Sequence, residues 1–170
     1  MPPNNSLCEE SNYSNVFRTY AKTLYNYLFY KTGNPALSQD LVQEAFTKLW
    51  QNCAEVAYPT AKGYVFKIAN NLLINEYNHQ KVVFKFQNIP QSDRSNESPE
   101  FLLEEKEFKE KLESAIAQLP EKQRVVFLMS RIEKKTYKEI AEILDISKQA
   151  VEKRIYNALN ALRQISKKIK

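Results

Sequence analysis

Apolar positions recur every three or four residues along most of this 170-residue chain, which is the period of helices packed on one side. The pattern is clearest between Thr136 and Leu159, where two amphipathic segments meet at Asp145. Thr136 and Glu139 have the spacing of a capping box, in which each side chain satisfies a free backbone N–H at a helix start. Asp145 tolerates the left-handed backbone of a tight turn, and Ser147 can cap a second helix. The sequence therefore predicts two helices joined by a short turn.

The second of these helices has an apolar side and a polar side. Its polar side carries Lys148, Gln149, Glu152, Lys153 and Tyr156. A helix-turn-helix places such a helix in the DNA major groove with its N-terminal residues leading. The alternative is an αα-hairpin within a helical core, whose charges are merely solvated. Both caps and the turn have the spacing of the DNA-binding motif, which favours the first interpretation.

Three longer amphipathic helices are predicted upstream, over residues 13–31, 35–52 and 60–78. Gly33 interrupts the pattern between the first two, Asn34 or Ser38 can cap the second helix, and Pro35 suits its first turn. The run QNIPQSDRSNESP, residues 87–99, has no apolar period and reads as a linker. An acidic helix and a helix ending near Arg131 follow, with Pro120 at the first position of the latter.

The third upstream helix is unusually rich in asparagine. Asparagine competes with the backbone for hydrogen bonds, so Asn70, Asn71, Asn75 and Asn78 together cost roughly 2 kcal/mol relative to alanine. Asparagine amides pair well with base edges, and aromatic rings can stack on unpaired bases. The aromatic candidates are Tyr64, Phe66, Tyr77, Phe84 and Phe86. The alternative is an ordinary polar helix face beside inward-packed rings.

Composition narrows the choice of function. Two glycines are too few for a glycine-rich phosphate loop, and a single histidine, His79, allows no zinc set, so no cofactor is expected. Cys8 and Cys53 lack a partner pattern, and we expect two unpaired thiols in a reducing cytoplasm. The polar, acidic start is unlike a signal peptide, and the longest apolar run is too short to span a membrane. These features predict a soluble cytoplasmic protein.

Charge is distributed unevenly along the chain. The net charge is +5, and residues 111–170 alone hold 14 basic and 7 acidic residues. The basic region coincides with the predicted helix-turn-helix, as expected if phosphate neutralisation supplies much of the affinity for DNA.

Three stretches resemble a known family. The segment DLVQEAFTKLW (40–50) resembles the polymerase-binding helix of bacterial sigma factors, in particular the extracytoplasmic-function (ECF) group of the sigma-70 family. GYVFKIANNLLINEYNHQK (63–81) resembles their helix and loop that capture the melted −10 element, and residues 119–163 resemble their second conserved domain. The resemblance implies an all-α fold of two small helical domains. These are a region 2 domain (13–86) and a region 4 domain (100–170), after an N-terminal tail (1–12) and joined by a flexible linker (87–99, with an extension to 108 left open).

The resemblance also implies three sets of site residues. Core polymerase would be bound by Asp40, Gln43, Glu44, Phe46, Leu49 and Trp50. The −10 element would be bound by Lys67, Asn70, Asn71, Asn75, Tyr77 and His79, with Asn75 where the family receives a flipped base. The −35 element would be bound by Ser147, Lys148, Gln149, Glu152, Lys153, Arg154 and Tyr156. Relatives often carry basic residues at the positions of Asn70, Asn71, His79 and Glu152, which leaves the preferred bases undecided.

The implied partners are core RNA polymerase, promoter DNA and an anti-sigma factor, often membrane-tethered, with no small-molecule substrate. The chain itself would not be an enzyme, because polymerase performs the catalysis. One alternative is a helix-turn-helix regulator of the response-regulator type, which would need a receiver domain of alternating strands and helices; residues 1–90 show helix periods only. A helical nuclease would need grouped carboxylates or a nucleophile set, and none is visible.

Overall fold

A computed structural model describes the backbone of residues 6–79 and 99–168, and the side chains of residues 6–77 and 106–165. Within these ranges every regular element is a helix, and the one β feature is an isolated antiparallel bridge between Ser6 and Ala57. The chain divides into two compact units, residues 1–83 and 84–170. The predicted all-α fold is confirmed.

The first unit contains three long helices: α1 (Glu10–Thr32), α2 (Pro35–Gln51) and α3 (Ala61–His79). Helix α1 ends at Gly33, whose φ of 65° is left-handed and whose N–H bonds to Phe29 O. Asn34 caps α2 by accepting a hydrogen bond from Leu37 N at 3.0 Å, as predicted. Ser38, the other predicted cap, is buried and bonds to the Thr32 hydroxyl instead. Core side chains come from all three helices, among them Leu24, Leu28, Leu49, Val65 and Leu73.

The N-terminal strap, residues 6–9, packs onto this unit. Leu7 is fully buried, and Ser6 forms the bridge to Ala57. Cys8 and Cys53 are joined by a disulfide bond, with their Cα atoms 5.0 Å apart. The structure therefore corrects two expectations. The two thiols are paired, and the predicted tail of residues 1–12 is folded from Ser6 onward because Leu7 enters the core.

The second unit contains α4 (Pro99–Ala117), α5 (Glu121–Arg131), α6 (Tyr137–Leu144) and α7 (Lys148–Lys168). Its core includes Val126, Leu128, Met129, Ile140 and Val151. Pro120 is the N-cap of α5 rather than its first residue. The predicted linker lies outside the described residues except for Pro99, and its extension to 108 is wrong because α4 already covers residues 99–108.

A buried arginine closes the end of α4. Arg124 is 7% exposed, and its guanidinium donates to Ala117 O at 3.1 Å and Leu119 O at 2.9 Å. Ala117 is the last residue of α4, where helical carbonyl oxygens lack intrahelical donors, and Leu119 lies just beyond it. Arg124 thus links α5 to the end of α4. The two helices of the helix-turn-helix, α6 and α7, both contact α5.

Candidate nucleic-acid and polymerase interfaces

The turn between α6 and α7 has the geometry that the sequence predicts. Thr136 Oγ1 accepts from Glu139 N at 3.3 Å, and Glu139 Oε2 accepts from Thr136 N at 2.7 Å, which completes the capping box. Asp145 is left-handed at φ 52°, and Ser147 Oγ accepts from Ala150 N at 3.1 Å. The hydrogen bonds from the Thr136 backbone N–H and then its hydroxyl lower the pKa of Glu139. All the local signals of a helix-turn-helix are therefore present together.

The α7 polar face lies on the side of α7 away from the core. It is formed by the exposed residues Lys148, Gln149, Glu152, Lys153 and Tyr156. Val151, Ile155 and Ala158 are buried on the opposite side of the helix, against α5 and α6. The predicted −35 residues are exposed, except for the half-buried Arg154: Ser147, Lys148, Gln149, Glu152, Lys153 and Tyr156. Tyr156 is 64% exposed, which is high for a large ring. Lys148 and Glu152 form an ion pair at 3.5 Å across one turn, so part of the positive charge is neutralised at the centre of this face.

The predicted −10 residues on α3 separate into three groups. Lys67, Asn71 and Asn75 are exposed and follow one another at intervals of four, so they define one surface, the α3 polar face. Asn70 and Tyr77 are half-buried and turn toward α1. His79 is the last residue of α3, and its side chain lies outside the described part of the chain.

Asn70 is engaged in contacts within the unit. Its Oδ1 accepts from Lys31 Nζ at 2.8 Å and from Tyr27 Oη at 2.9 Å, while its Nδ2 donates to Phe66 O at 3.1 Å. The ammonium of Lys31 also lies 5.1 Å from the centre of the Tyr27 ring. An amide so occupied cannot read a base edge without giving up these bonds. In this structure Asn70 joins α3 to α1.

The aromatic candidates for base stacking divide in the same way. Phe66 is buried against the Tyr27 ring, Tyr64 is half-buried, and Tyr77 Oη donates to Lys31 O at 3.4 Å. Phe84 and Phe86 lie outside the described residues. A residue that the sequence analysis missed is Ile74, which is 55% exposed beside the α3 polar face. Its position outside the apolar stripe of α3 was a signal that could have identified it.

Helix α2 exposes one face and buries the other. Asp40, Gln43, Glu44 and Trp50 are exposed and form the α2 outer face, on which Lys48 pairs with Glu44 at 3.6 Å. Phe46 and Leu49, by contrast, are only 2% and 0% exposed. Both pack inside the unit in this structure and are not accessible on the α2 outer face.

An aromatic cluster borders the α2 outer face. The Tyr13 ring packs edge-on against Trp50 at 4.9 Å, and its hydroxyl donates to Phe46 O at 2.9 Å. Burial raises the pKa of Tyr13. Phe17 packs on Phe46 at 4.9 Å, yet Phe17 and Trp50 are each 43% exposed. Large aromatic rings are enriched at protein-binding surfaces, and two such rings are partly exposed here. The exposure of Phe17 was not predicted from the sequence.

Residues 6–79 and 99–168, which the structure describes, lack two features. They contain no helix that is both long and apolar enough to cross a bilayer. They also contain no cluster of three or more histidine, cysteine, aspartate or glutamate side chains that could hold a metal ion.

Two family profiles match the chain, each within one unit. Residues 16–82 match the profile described as Sigma-70 region 2, and residues 109–162 match Sigma-70, region 4. The first match contains the α2 outer face and the α3 polar face, and the second contains the helix-turn-helix.

Individual relatives cover nearly the whole chain. The RNA polymerase sigma factor YlaC of Bacillus subtilis is 25% identical over 154 residues, which is 88% of each chain. The ECF RNA polymerase sigma factor SigL of Mycobacterium tuberculosis is 28% identical over 156 residues, covering 87% of this chain and 85% of SigL. Among solved structures, the sigma factor RpoE in complex with the anti-sigma factor NepR, from Bartonella quintana, aligns with a TM-score of 0.57 at 14% identity, over 92% of this chain and 98% of RpoE. This last similarity concerns the fold.

Proposed function

Because this chain belongs to the sigma-70 family, and within it to the ECF group, we propose that it binds core RNA polymerase and directs initiation at promoters through their −10 and −35 elements. The observation that carries this proposal is the presence, on one chain, of an exposed helix-turn-helix face and a separate asparagine-bearing helix face. A regulator that binds duplex DNA alone needs only the first of these faces. The second suits bases that have left the duplex.

The α7 polar face is proposed to contact the −35 element in the major groove. Gln149 can offer its amide to the edge of an adenine, and Lys153 can neutralise a phosphate. Glu152 accepts hydrogen bonds only, so it favours a cytosine amino group and repels phosphate. Its ion pair with Lys148 holds that carboxylate in place on the exposed side of α7.

The α3 polar face is proposed to contact the −10 element once its strands separate. Asn71 and Asn75 carry donors and acceptors on neighbouring turns, and Lys67 supplies a positive charge for the backbone. Ile74 adds an exposed apolar side chain on which an unstacked base can rest. Capture of bases that have left the stack shifts the duplex toward the open state.

The α2 outer face is proposed to dock on core polymerase. Asp40 and Glu44 supply negative charge, while Trp50 and Phe17 supply partly exposed rings that a partner helix can cover. Polymerase performs the catalysis, so the chain contributes recognition and no bond chemistry. Two weak DNA contacts on one chain raise each other's effective concentration once polymerase holds both.

An anti-sigma factor is the proposed regulator, and it would act by covering the docking surfaces. The support comes from the family, since the structurally similar RpoE was solved with the anti-sigma factor NepR. We further propose that this chain acts in the cytoplasm, where it meets polymerase. We also propose that its anti-sigma factor is tethered to the membrane.

The test is transcription of fragmented chromosomal DNA from the source organism with purified components. Core polymerase plus this chain should produce transcripts with a small set of defined 5′ ends, and omission of either component should abolish them. A duplex-binding regulator would instead bind its site at full affinity without core polymerase and yield no new transcripts, and that result would overturn the proposal.

A further inference from the structure

We infer that Cys8 and Cys53 form a reversible redox site, which fastens the N-terminal strap to the end of α2 when oxidised and releases it when reduced. Because Trp50 lies at that end of α2, the redox state would change how tightly the α2 outer face docks on core polymerase. The docking part of this inference depends on the function proposed above. The redox site itself does not.

The bond connects two helix ends that are distant in sequence. Cys8 precedes Glu9, the N-cap of α1, and Cys53 lies in the turn after α2, with its N–H donating to Trp50 O at 3.1 Å. The Cα separation of 5.0 Å is within the range that a disulfide spans without moving the backbone. The bond therefore joins residues 45 positions apart in the sequence and encloses all of α1 and α2.

Neither cysteine residue is buried, which favours access by small thiols. Cys8 is exposed and Cys53 is partly exposed, although Leu7 beside them is fully buried. Accessible disulfides exchange with dissolved thiols, whereas buried ones resist. The chain has two cysteines in total, so no other thiol of the protein can compete for either partner.

Other contacts also hold the strap in place, among them the bond from Tyr13 N to Glu9 O at 2.9 Å. Ser6 O accepts from Asn12 Nδ2 at 2.9 Å and from Glu9 N at 3.3 Å, and Ser6 bridges to Ala57. Burial of Leu7 adds the main apolar contact. A four-residue segment outside the helices can open locally at a lower free-energy cost than the helical core. Removal of the covalent bond therefore allows the strap to leave the surface for part of the time.

The bond also encloses the aromatic pair beside the α2 outer face. Tyr13 follows Cys8 by five residues and Trp50 precedes Cys53 by three, and the two rings pack at 4.9 Å. The disulfide thus restrains both helices close to this contact. A partner that covers Trp50 binds a restrained ring with less loss of conformational entropy, so the oxidised form should bind core polymerase more tightly.

The reaction is thiol–disulfide exchange with a small disulfide such as glutathione disulfide. One cysteine thiolate attacks the oxidant to form a mixed disulfide, and the other thiolate displaces the bound thiol. The two cysteines lose two electrons and two protons, and the oxidant is reduced to two thiols. A dithiol reverses the process. Because a cytoplasm keeps accessible thiols reduced, the bond would form there under oxidising conditions.

The experiment equilibrates the full-length chain in buffers of defined glutathione to glutathione disulfide ratio. Alkylation followed by mass spectrometry counts free thiols, circular dichroism gives the unfolding temperature, and fluorescence anisotropy gives the affinity for core polymerase. Both thiols should disappear together as the buffer becomes oxidising. The first unit should then unfold about 10 °C higher, and core polymerase should bind about threefold or more tightly.

The matched control is the double variant Cys8→Ser/Cys53→Ser, which should behave as the reduced protein in every buffer. Two free thiols at all buffer ratios, or an unfolding temperature that ignores the buffer, would overturn the redox site. A shifted unfolding temperature with unchanged polymerase affinity would overturn the docking effect. If neither form binds core polymerase while thiols and unfolding temperature respond, the function proposed above fails and the redox site stands.

Discussion

The two units of the chain differ in how their polar residues relate to their cores. Six of the seven residues expected to bind the −35 element, on α7 and at its cap Ser147, are exposed, and Val151 and Ile155 between them are buried. On α2 and α3, the expected residues divide between surface and interior: Asn71 and Asn75 are exposed, Asn70 bonds to α1, and Phe46 and Leu49 are buried. A polar sequence pattern identifies an exposed surface where no helix distant in sequence packs on those residues. Where such a helix packs on them, the pattern no longer identifies the surface.

The largest expected effect is on stability, and it distinguishes the buried Leu49 from the partly exposed Trp50 on α2. Leu49→Ala should lower the free energy of unfolding of the first unit by about 3 kcal/mol, because it leaves a cavity in a fully buried site. Trp50→Ala should cost about 1 kcal/mol in unfolding but weaken core polymerase binding about tenfold or more. Amide hydrogen exchange of α1–α3 measures the first quantity, and a pull-down on core polymerase measures the second. Equal loss of stability in both variants would contradict the division of α2 into two faces.

On α7 the comparison is between a base contact and a phosphate contact. Gln149→Ala should weaken binding of the promoter duplex by the polymerase complex about tenfold and relax the preference at one base pair. Lys153→Ala should weaken all sequences alike and reduce the slope of log affinity against log salt by about 1. Binding titrations at several salt concentrations distinguish the two. Unchanged specificity in the Gln149 variant would remove that residue from base recognition.

A smaller effect is expected from a comparison of two adjacent asparagines on α3. Asn70 bonds to α1, whereas Asn71 is exposed. Asn70→Ala should destabilise the first unit by about 1 kcal/mol, since Lys31 and Tyr27 lose a shared acceptor. Asn71→Ala should leave stability unchanged or slightly raised, because its amide is exposed and alanine is the better helix former. Urea unfolding followed by circular dichroism makes the measurement. The opposite order of stabilities would contradict the role of Asn70 in joining α3 to α1.

The smallest expected effect concerns the cap of α6. Thr136→Ala should cost about 1 kcal/mol of stability in the second unit. Because the pKa of Glu139 is lowered in the folded chain, its contribution is present above the pKa of a free glutamate and is lost as pH falls through the lowered folded value. Glu139→Gln keeps an acceptor for Thr136 N–H and should lack this acid dependence. Amide exchange of α6 at a series of pH values measures this dependence in the wild-type chain and in Glu139→Gln. Equal sensitivity of these two chains to acid would count against the cap.

Sequence alone was a good guide to the features that depend on neighbours in the chain. The cap at Asn34, the capping box at Thr136 and the left-handed Asp145 follow from residue types at fixed short spacings, and the structure contains all three. The main helices of the two units were predicted for the same reason. The apolar stripe of α2 also contained the signal that Phe46 and Leu49 are buried, and the family resemblance led to their assignment to the surface.

Features that depend on distant packing were not predicted. The disulfide joins residues 45 positions apart, and Asn70 bonds to residues 39 and 43 positions away. Each pairing exists because α1 packs on α2 or α3 in one particular register, which no local pattern specifies. The strap was missed because one buried leucine in a polar segment carries no period.

Promoter opening tests the central claim most directly. Permanganate oxidation of unpaired thymines reports whether the −10 strands have separated. Core polymerase with the wild-type chain should expose these thymines, and the double variant Asn71→Ala/Asn75→Ala should expose them about tenfold less while binding the −35 duplex unchanged. Equal opening by wild type and variant, or opening by the chain without core polymerase, would contradict the account.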